Sequence, residues 1–212
     1  MTSEIRRGSH RFVERRVGSI TRHSLAFGDS YDPDNLRFGP MVCHDDHLLA
    51  VGEGFGTHRH SDLVIVTYVV SGALDHSGPG GTTRVPAGSL AVLRTGAGVE
   101  HSEVAAAPQT RFVQAWLACD EGGEPSYEVV AGDAVEPLPG ARLTVLRPGD
   151  HEVAAIPAAP LVHVYVARGA LLRSSLADPL HEGDAFRFTG EPAHEVVAGV
   201  PAELLVWTFA AC

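Results

Sequence analysis

Short runs of Val, Leu, Ile, Thr, Tyr and Phe alternate with clusters of Gly, Pro, Asp and Ser along the whole chain, and a 3.6-residue apolar period is almost nowhere sustained. This texture predicts strands. The clearest runs are 63–70, 90–94, 111–117, 143–146, 161–167, 185–188 and 203–209. Between them stand turn signals: Ser-Gly-Pro-Gly-Gly at 77–81 reads as a hairpin tip, and Asp-Glu-Gly-Gly-Glu-Pro at 120–125 as a linker. Many short strands at this spacing predict an all-β sandwich or barrel.

An internal repeat refines that prediction. Segments 66–74 and 163–171 agree at five of nine positions (Tyr, Val, Gly, Ala and Leu) with an offset of 97 residues. Each is followed by a further glycine, Gly88 and Gly183, that can turn the chain into another strand. The expected organisation is therefore two related β modules, 1–120 and 140–212, joined by a linker over 121–139.

Composition narrows the partners. With 44% hydrophobic and 20% charged residues in 212, the chain can bury a real core, and no apolar run approaches a membrane span. The formal charge of -10 sets 26 acidic residues against 16 basic ones, all arginine, a composition typical of a GC-rich bacterial genome. Phosphate backbones want a basic face, so direct nucleic-acid binding is not expected. Cys43, Cys119 and Cys212 are odd in number and widely spaced, which gives neither a disulfide framework nor a metal clip. Met1 to Arg7 lead into no apolar segment, and a cytoplasmic protein with reduced thiols is expected. The arginines before residue 23 share their segment with Glu4 and Glu14 and read as a solvated edge strand. The apolar stretch 204–211, with Trp207, reads as a closing strand that an exposed face could offer to a second copy.

Histidine spacing carries the chemistry. His58-Arg59-His60 places two imidazoles at i and i+2 just before a strand, and His101-Ser102-Glu103 does the same with an imidazole and a carboxylate. In a chain with 12 histidines, one His-x-His is expected nearly once by chance; two such pairs 43 residues apart, each flanked by glycines and strand signals, are a stronger pattern. Three imidazoles and a carboxylate suit divalent Fe, Mn, Co, Ni, Cu or Zn, and are too nitrogen-rich for Ca or Mg. Four protein ligands on a six-coordinate metal leave two positions for chemistry.

Around these residues the chain resembles a known family. Gly52-Glu-Gly-Phe-Gly-Thr-His58-Arg-His60 matches the first cupin motif, Gly-x5-His-x-His, with Gly72 where that motif ends. Phe38-Gly39-Pro40, the stretches 54–62, 65–69 and 96–103, and the opening 27–33 together resemble pirin and the bacterial pirin-like proteins over residues 20–120. The resemblance implies a bicupin, two β-barrels face to face, with one metal, usually iron(II), in the first. It implies His58, His60, His101 and Glu103 as the ligands. The second module aligns Ala155 and Pro157 with the first pair and Val196 and Ala198 near the second, which implies no metal there. The other nine histidines, His163 and His194 among them, are expected to be ordinary strand or loop residues.

Pirin-like proteins typically carry a Glu at the place of Val64. If the parity of His58 and His60 continues, Val64 points at the metal, the pocket loses a carboxylate, and Glu103 must be ligand and general base together. Phe38, Met41, Phe55 and Val64 are then the expected apolar walls, fitting an aromatic substrate. The resemblance implies a quercetinase-type dioxygenase acting with O2 on a flavonol-like, enolic or phenolic molecule. Two other roles are compatible with the motif: an iron-binding regulator acting through a protein partner, and a biosynthetic cupin acting on another secondary metabolite, which the Val64 change favours.

Overall fold

The computed structural model describes residues 1–120 and 122–211; Cys212 and Glu121 of the expected linker lie outside the described residues. Beyond one 3-10 turn at Gly8–His10, the regular structure is all strand. In chain order the strands are β1 (Thr2–Arg6), β2 (Phe12–Arg16), β3 (Ser19–His23), β4 (Met41–Leu49), β5 (Gly54–His60), β6 (Leu63–Ser71), β7 (Ala73–Gly78), β8 (Gly81–Pro86), β9 (Leu90–Arg94) and β10 (Val99–Ala105). They continue with β11 (Thr110–Ala118), β12 (Ser126–Val130), β13 (Ala134–Leu138), β14 (Ala141–Leu146), β15 (Val153–Ile156), β16 (Leu161–Leu171), β17 (Leu180–His181), β18 (Ala185–Thr189) and β19 (His194–Phe209). No helix among the described residues is long and apolar enough to cross a membrane.

The chain divides into two compact units, Phe12–Gly132 and, separately, Met1–Arg11 together with the chain from Asp133 onward. These bounds differ from the expected 1–120, 121–139 and 140–212, because pairing reaches into both ends of the first module. Strand β1 pairs with β18 and so belongs to the second unit. The segment read as a linker contains β12, which pairs with β9 of the first unit, and β13, which pairs with β14 of the second. Backbone hydrogen bonding claims these residues although their composition looks like a connector.

In the first unit a seven-stranded antiparallel sheet, ordered β12-β9-β6-β11-β4-β3-β2, packs on a four-stranded one, ordered β5-β10-β7-β8. The core between them draws Leu49, Val69 and Phe112 from the larger sheet and Leu74, Val85 and Ala105 from the smaller. The arginine-rich start supplies the outer strand of the larger sheet, β2, in keeping with an edge reading. Register assigns each face. Gln114 stands opposite Asp45 and Thr67, Trp116 opposite Cys43 and Ile65, and Asp45 opposite His23. These share the inner face, since directly paired residues point the same way. Leu117, opposite both Met41 and Val64, lies on the outer face.

The second unit is one eight-stranded sheet wrapped around Val162, Val164, Phe186, Phe188, Leu204 and their neighbours. The apolar tail is covered through Phe209: β19 runs between β16 and β14, and Trp207 is buried. The repeat has a physical basis. Gly72 and Gly169 occupy the same place in the two copies, both with positive φ, and a Cβ at either would lie within 2.5 Å of the adjacent strand, at Thr110 or Pro201. Ala154 and Ile156 of β15 face that core with Val196 and Ala198, while Ala155 and Pro157 are exposed, one position out of step with the expected alignment.

Candidate metal centre and its cavity

The smaller sheet of the first unit brings both histidine pairs together. Strand β10 pairs with β5, setting His101 opposite His58, and a register shift after His101 places Glu103 opposite Phe55. On its other side β10 pairs with β7, with Glu103 opposite His76. The side-chain nitrogens of His58, His60 and His101 lie within 4.8 Å of one another, and the same holds for donor atoms of His76, His101 and Glu103.

Hydrogen bonds select which atoms are free. His58 Nδ1 donates to the Gly56 carbonyl at 2.8 Å, which leaves Nε2 with its lone pair. His101 Nδ1 lies 3.1 Å from His76 Nε2 and 3.2 Å from Glu103 Oε1. Gln114 Nε2 donates to Glu103 Oε1 at 3.2 Å, and its own Oε1 accepts from the Trp116 indole at 2.7 Å. Among the described residues, His60 Nε2, His101 Nε2 and Glu103 Oε2 are then buried atoms with no hydrogen-bond partner. Such orphans cost about 1–3 kcal/mol each unless something fills them. A divalent cation does so, and the donor set fits one.

Electrostatics agree. Burial and the neighbouring His58 and His101 push His60 down to about 4, and burial does the same to His76, so both rings are neutral at pH 7, the form in which imidazole binds metals. For Glu103 burial acts upward but is outweighed by the His101 hydrogen bond and the nearby imidazoles, and the carboxyl sits below its usual range.

A cavity of about 350 Å3 opens on this cluster. His58, His60 and Glu103 form part of its wall, with Phe55, Phe27 and Trp116 as the aromatic part and His23, Asp45, His47 and Glu14 as a second polar part. Of the expected walls only Phe55 lies there. Phe38 closes a tight bridge with Met41, and neither lines the cavity. Val64 is corrected too. Strand β5 ends at His60, and Asp62 adopts a left-handed conformation with φ of 59°, so the alternation restarts out of phase. Ile65 packs inward against Leu93 and Trp116, and Val64 faces away on the outer side of the sheet. A carboxylate at 64 would not reach this cluster, so Val64 neither removes a group from the cavity nor redirects its substrate.

His23 and His76, expected to be ordinary strand or loop histidines, belong to this region, as do Asp45 and Gln114, which the spacing left unassigned. The signal for His76 lay in simple alternation: Asp75 faces outward to a bidentate contact with Arg84, while Leu74 and His76 are buried.

The sequence profile of the pirin family matches residues 8–117, more than half of the chain. The chain belongs to the pirin family. Among similar proteins, the Mycobacterium tuberculosis protein named "Putative quercetin 2,3-dioxygenase Rv0181c" is 35% identical over 233 residues, covering 97% of this chain and 94% of its own length. An Escherichia coli protein named quercetin 2,3-dioxygenase is 35% identical over 118 residues, 54% of this chain and 51% of that one. In architecture, the E. coli bacterial pirin YhhW, solved in complex with nickel(II), superposes with a TM-score of 0.89 at 24% identity, over 99% of this chain and all of the other. The fold is the all-β bicupin of the pirins.

Proposed function

We propose that this pirin is a metal-dependent dioxygenase of the quercetin 2,3-dioxygenase type, oxidising a flavonol-like or other enolic or phenolic apolar molecule with O2. The observation that carries this reading is the convergence of the orphaned donor atoms of His60, His101 and Glu103, with His58 beside them, on the wall of an aromatic-lined cavity. His58, His60, His101 and Glu103 are the proposed ligands of one divalent ion. Iron(II) is the first choice, and nickel(II), the ion named with the E. coli YhhW structure, is the second. When bound, such a metal supplies Lewis acidity toward a phenolic or enolic oxygen and the electronic partner that O2 needs.

The chain's own residues do the rest. Phe55, Phe27 and Trp116 offer apolar surface to an aromatic ring and keep water from the polar cluster. Gly56 and His76 orient the imidazoles of His58 and His101, and Gln114 holds one oxygen of Glu103 so that the other faces the histidines' free nitrogens. Relatives named for quercetin 2,3-dioxygenase make a flavonol the first substrate class to try.

The test is metal analysis of anaerobically purified protein, followed by oxygen uptake with quercetin. Uptake in proportion to quercetin consumed, and its loss in His101→Ala, is the expected result. No uptake across flavonols, catechols and enols with a fully metal-loaded protein would sink the reading.

A further inference from the structure

The cavity has a second polar wall that the proposed metal centre does not use. His23 of β3 and Asp45 of β4 stand directly opposite each other in the register of the larger sheet. His23 Nδ1 lies 2.8 Å from Asp45 Oδ2, and the two residues are 6% and 3% exposed. Phe27 stacks on the imidazole at 5.5 Å and 19°, which fixes the plane of the ring.

The two ring nitrogens have different surroundings. With Nδ1–H donated to Asp45, the lone pair is on Nε2. That atom lies 3.8 Å from Glu14 Oε2 on β2, beyond hydrogen-bond range, and Glu14 is already held through Oε1 by Arg16 at 2.6 Å. The titratable groups facing His23 from the flanking strands are Asp45 and His47 of β4 and Glu14 of β2; burial pushes His47 down, which leaves two acidic groups as the charged ones. The Asp45 hydrogen bond, opposed by burial and helped by the charges of Asp45 and Glu14, raises the imidazole above its ordinary 6.5.

An aromatic file connects this pair to the metal cluster. His60 meets Trp116 at 4.6 Å, Trp116 meets Phe27 edge-on at 5.3 Å, and Phe27 covers His23. A flat ring lying along that file would meet the proposed metal ligands at one end and the lone pair of His23 Nε2 at the other. Glu103, by contrast, has Oε1 engaged by His101 and Gln114, and its Oε2 is the atom left for a metal.

We propose that His23 is the residue that accepts the proton of the acidic substrate hydroxyl at the end of the ring away from the metal, with Asp45 as its positioning residue. The inference rests on the enolic or phenolic substrate class proposed above. In the step the substrate O–H bond breaks, the oxygen keeps the electron pair, and the proton moves to His23 Nε2. The resulting imidazolium stays paired with Asp45 Oδ2.

The experiment is an anaerobic spectroscopic titration of quercetin with the zinc-loaded full chain, from pH 5 to 9, following the red shift that a phenol gives on losing its proton. In the wild type the bound ligand should be anionic well below its pKa in water. His23→Gln should move that midpoint up by one pH unit or more, a tenfold loss, at unchanged zinc content, and Asp45→Asn should move it in the same direction. Should His23→Gln not fold, the Asp45→Asn midpoint decides alone. Coincident midpoints in wild type and variant overturn the role of His23 and leave the dioxygenase reading intact. Absence of binding by the wild type to quercetin, and to catechols and enols tried in the same titration, overturns both.

Discussion

His76 Nε2 lies 3.1 Å from His101 Nδ1, and both rings are buried. The arrangement gives one imidazole of the proposed ligand set a neutral acceptor behind it. With its Nδ1–H directed to His76 or Glu103, His101 keeps its lone pair on Nε2, the atom that has no other partner. Tyr127 stacks on His76 at 3.7 Å and 5°, holding the acceptor in place.

Replacing His76 by Ala should therefore weaken metal binding by about 10–100-fold, the usual cost of losing an outer hydrogen bond to a ligating histidine. Competition with a chromophoric chelator measures this directly. Unchanged affinity would mean that Glu103 alone orients His101.

A second prediction concerns stability. Arg111 grips Asp46 through two hydrogen bonds, Nε to Oδ1 at 2.9 Å and a second nitrogen to Oδ2 at 2.6 Å, with side chains 12% and 2% exposed. Asp46→Ala takes both of these hydrogen bonds from the part-buried guanidinium and should cost about 1–3 kcal/mol in denaturant unfolding. The double variant Asp46→Leu with Arg111→Met should recover much of that loss.

Acid should loosen the second unit through Asp184. Burial pushes its carboxyl up, but hydrogen bonds from the Gly8 and His181 backbone N–H groups and from the Arg7 guanidinium outweigh burial and hold it below its ordinary 3.8. A depressed folded-state value means stability that is present above the unfolded value and lost as pH falls through the folded one. Asp184→Asn should thus be less stable than wild type at pH 7, with the gap closing as the pH drops below 3.8. Unfolding midpoints of the two proteins at pH 7 and pH 3 check the sign.

Much of this protein is legible in one dimension because strands are. Alternation and β-branched runs mark 63–70, 90–94 and 161–167, and β6, β9 and β16 contain them. The His-x-His and His-x-Glu pairs are equally local: two donors at i and i+2 share one face of a strand whatever the strand pairs with. The resemblance of 20–120 to pirins rests on the same local motifs, and the family match over 8–117 bears it out.

Pairing decided the remainder, since hydrogen-bond register is a relation between distant segments that no local pattern encodes. It joined β1 to β18 and made strands of half the apparent linker. Through the β10–β7 ladder it set His76 beside His101, and through the β3–β4 ladder it set His23 beside Asp45. A single left-handed residue, Asp62, broke the parity from which Val64 had been placed at the metal. Sequence by itself determined an all-β pirin and the two donor pairs; the tertiary structure determined what stands behind and across from them, because only folding brings residues 22 or 25 positions apart to within 3.1 Å.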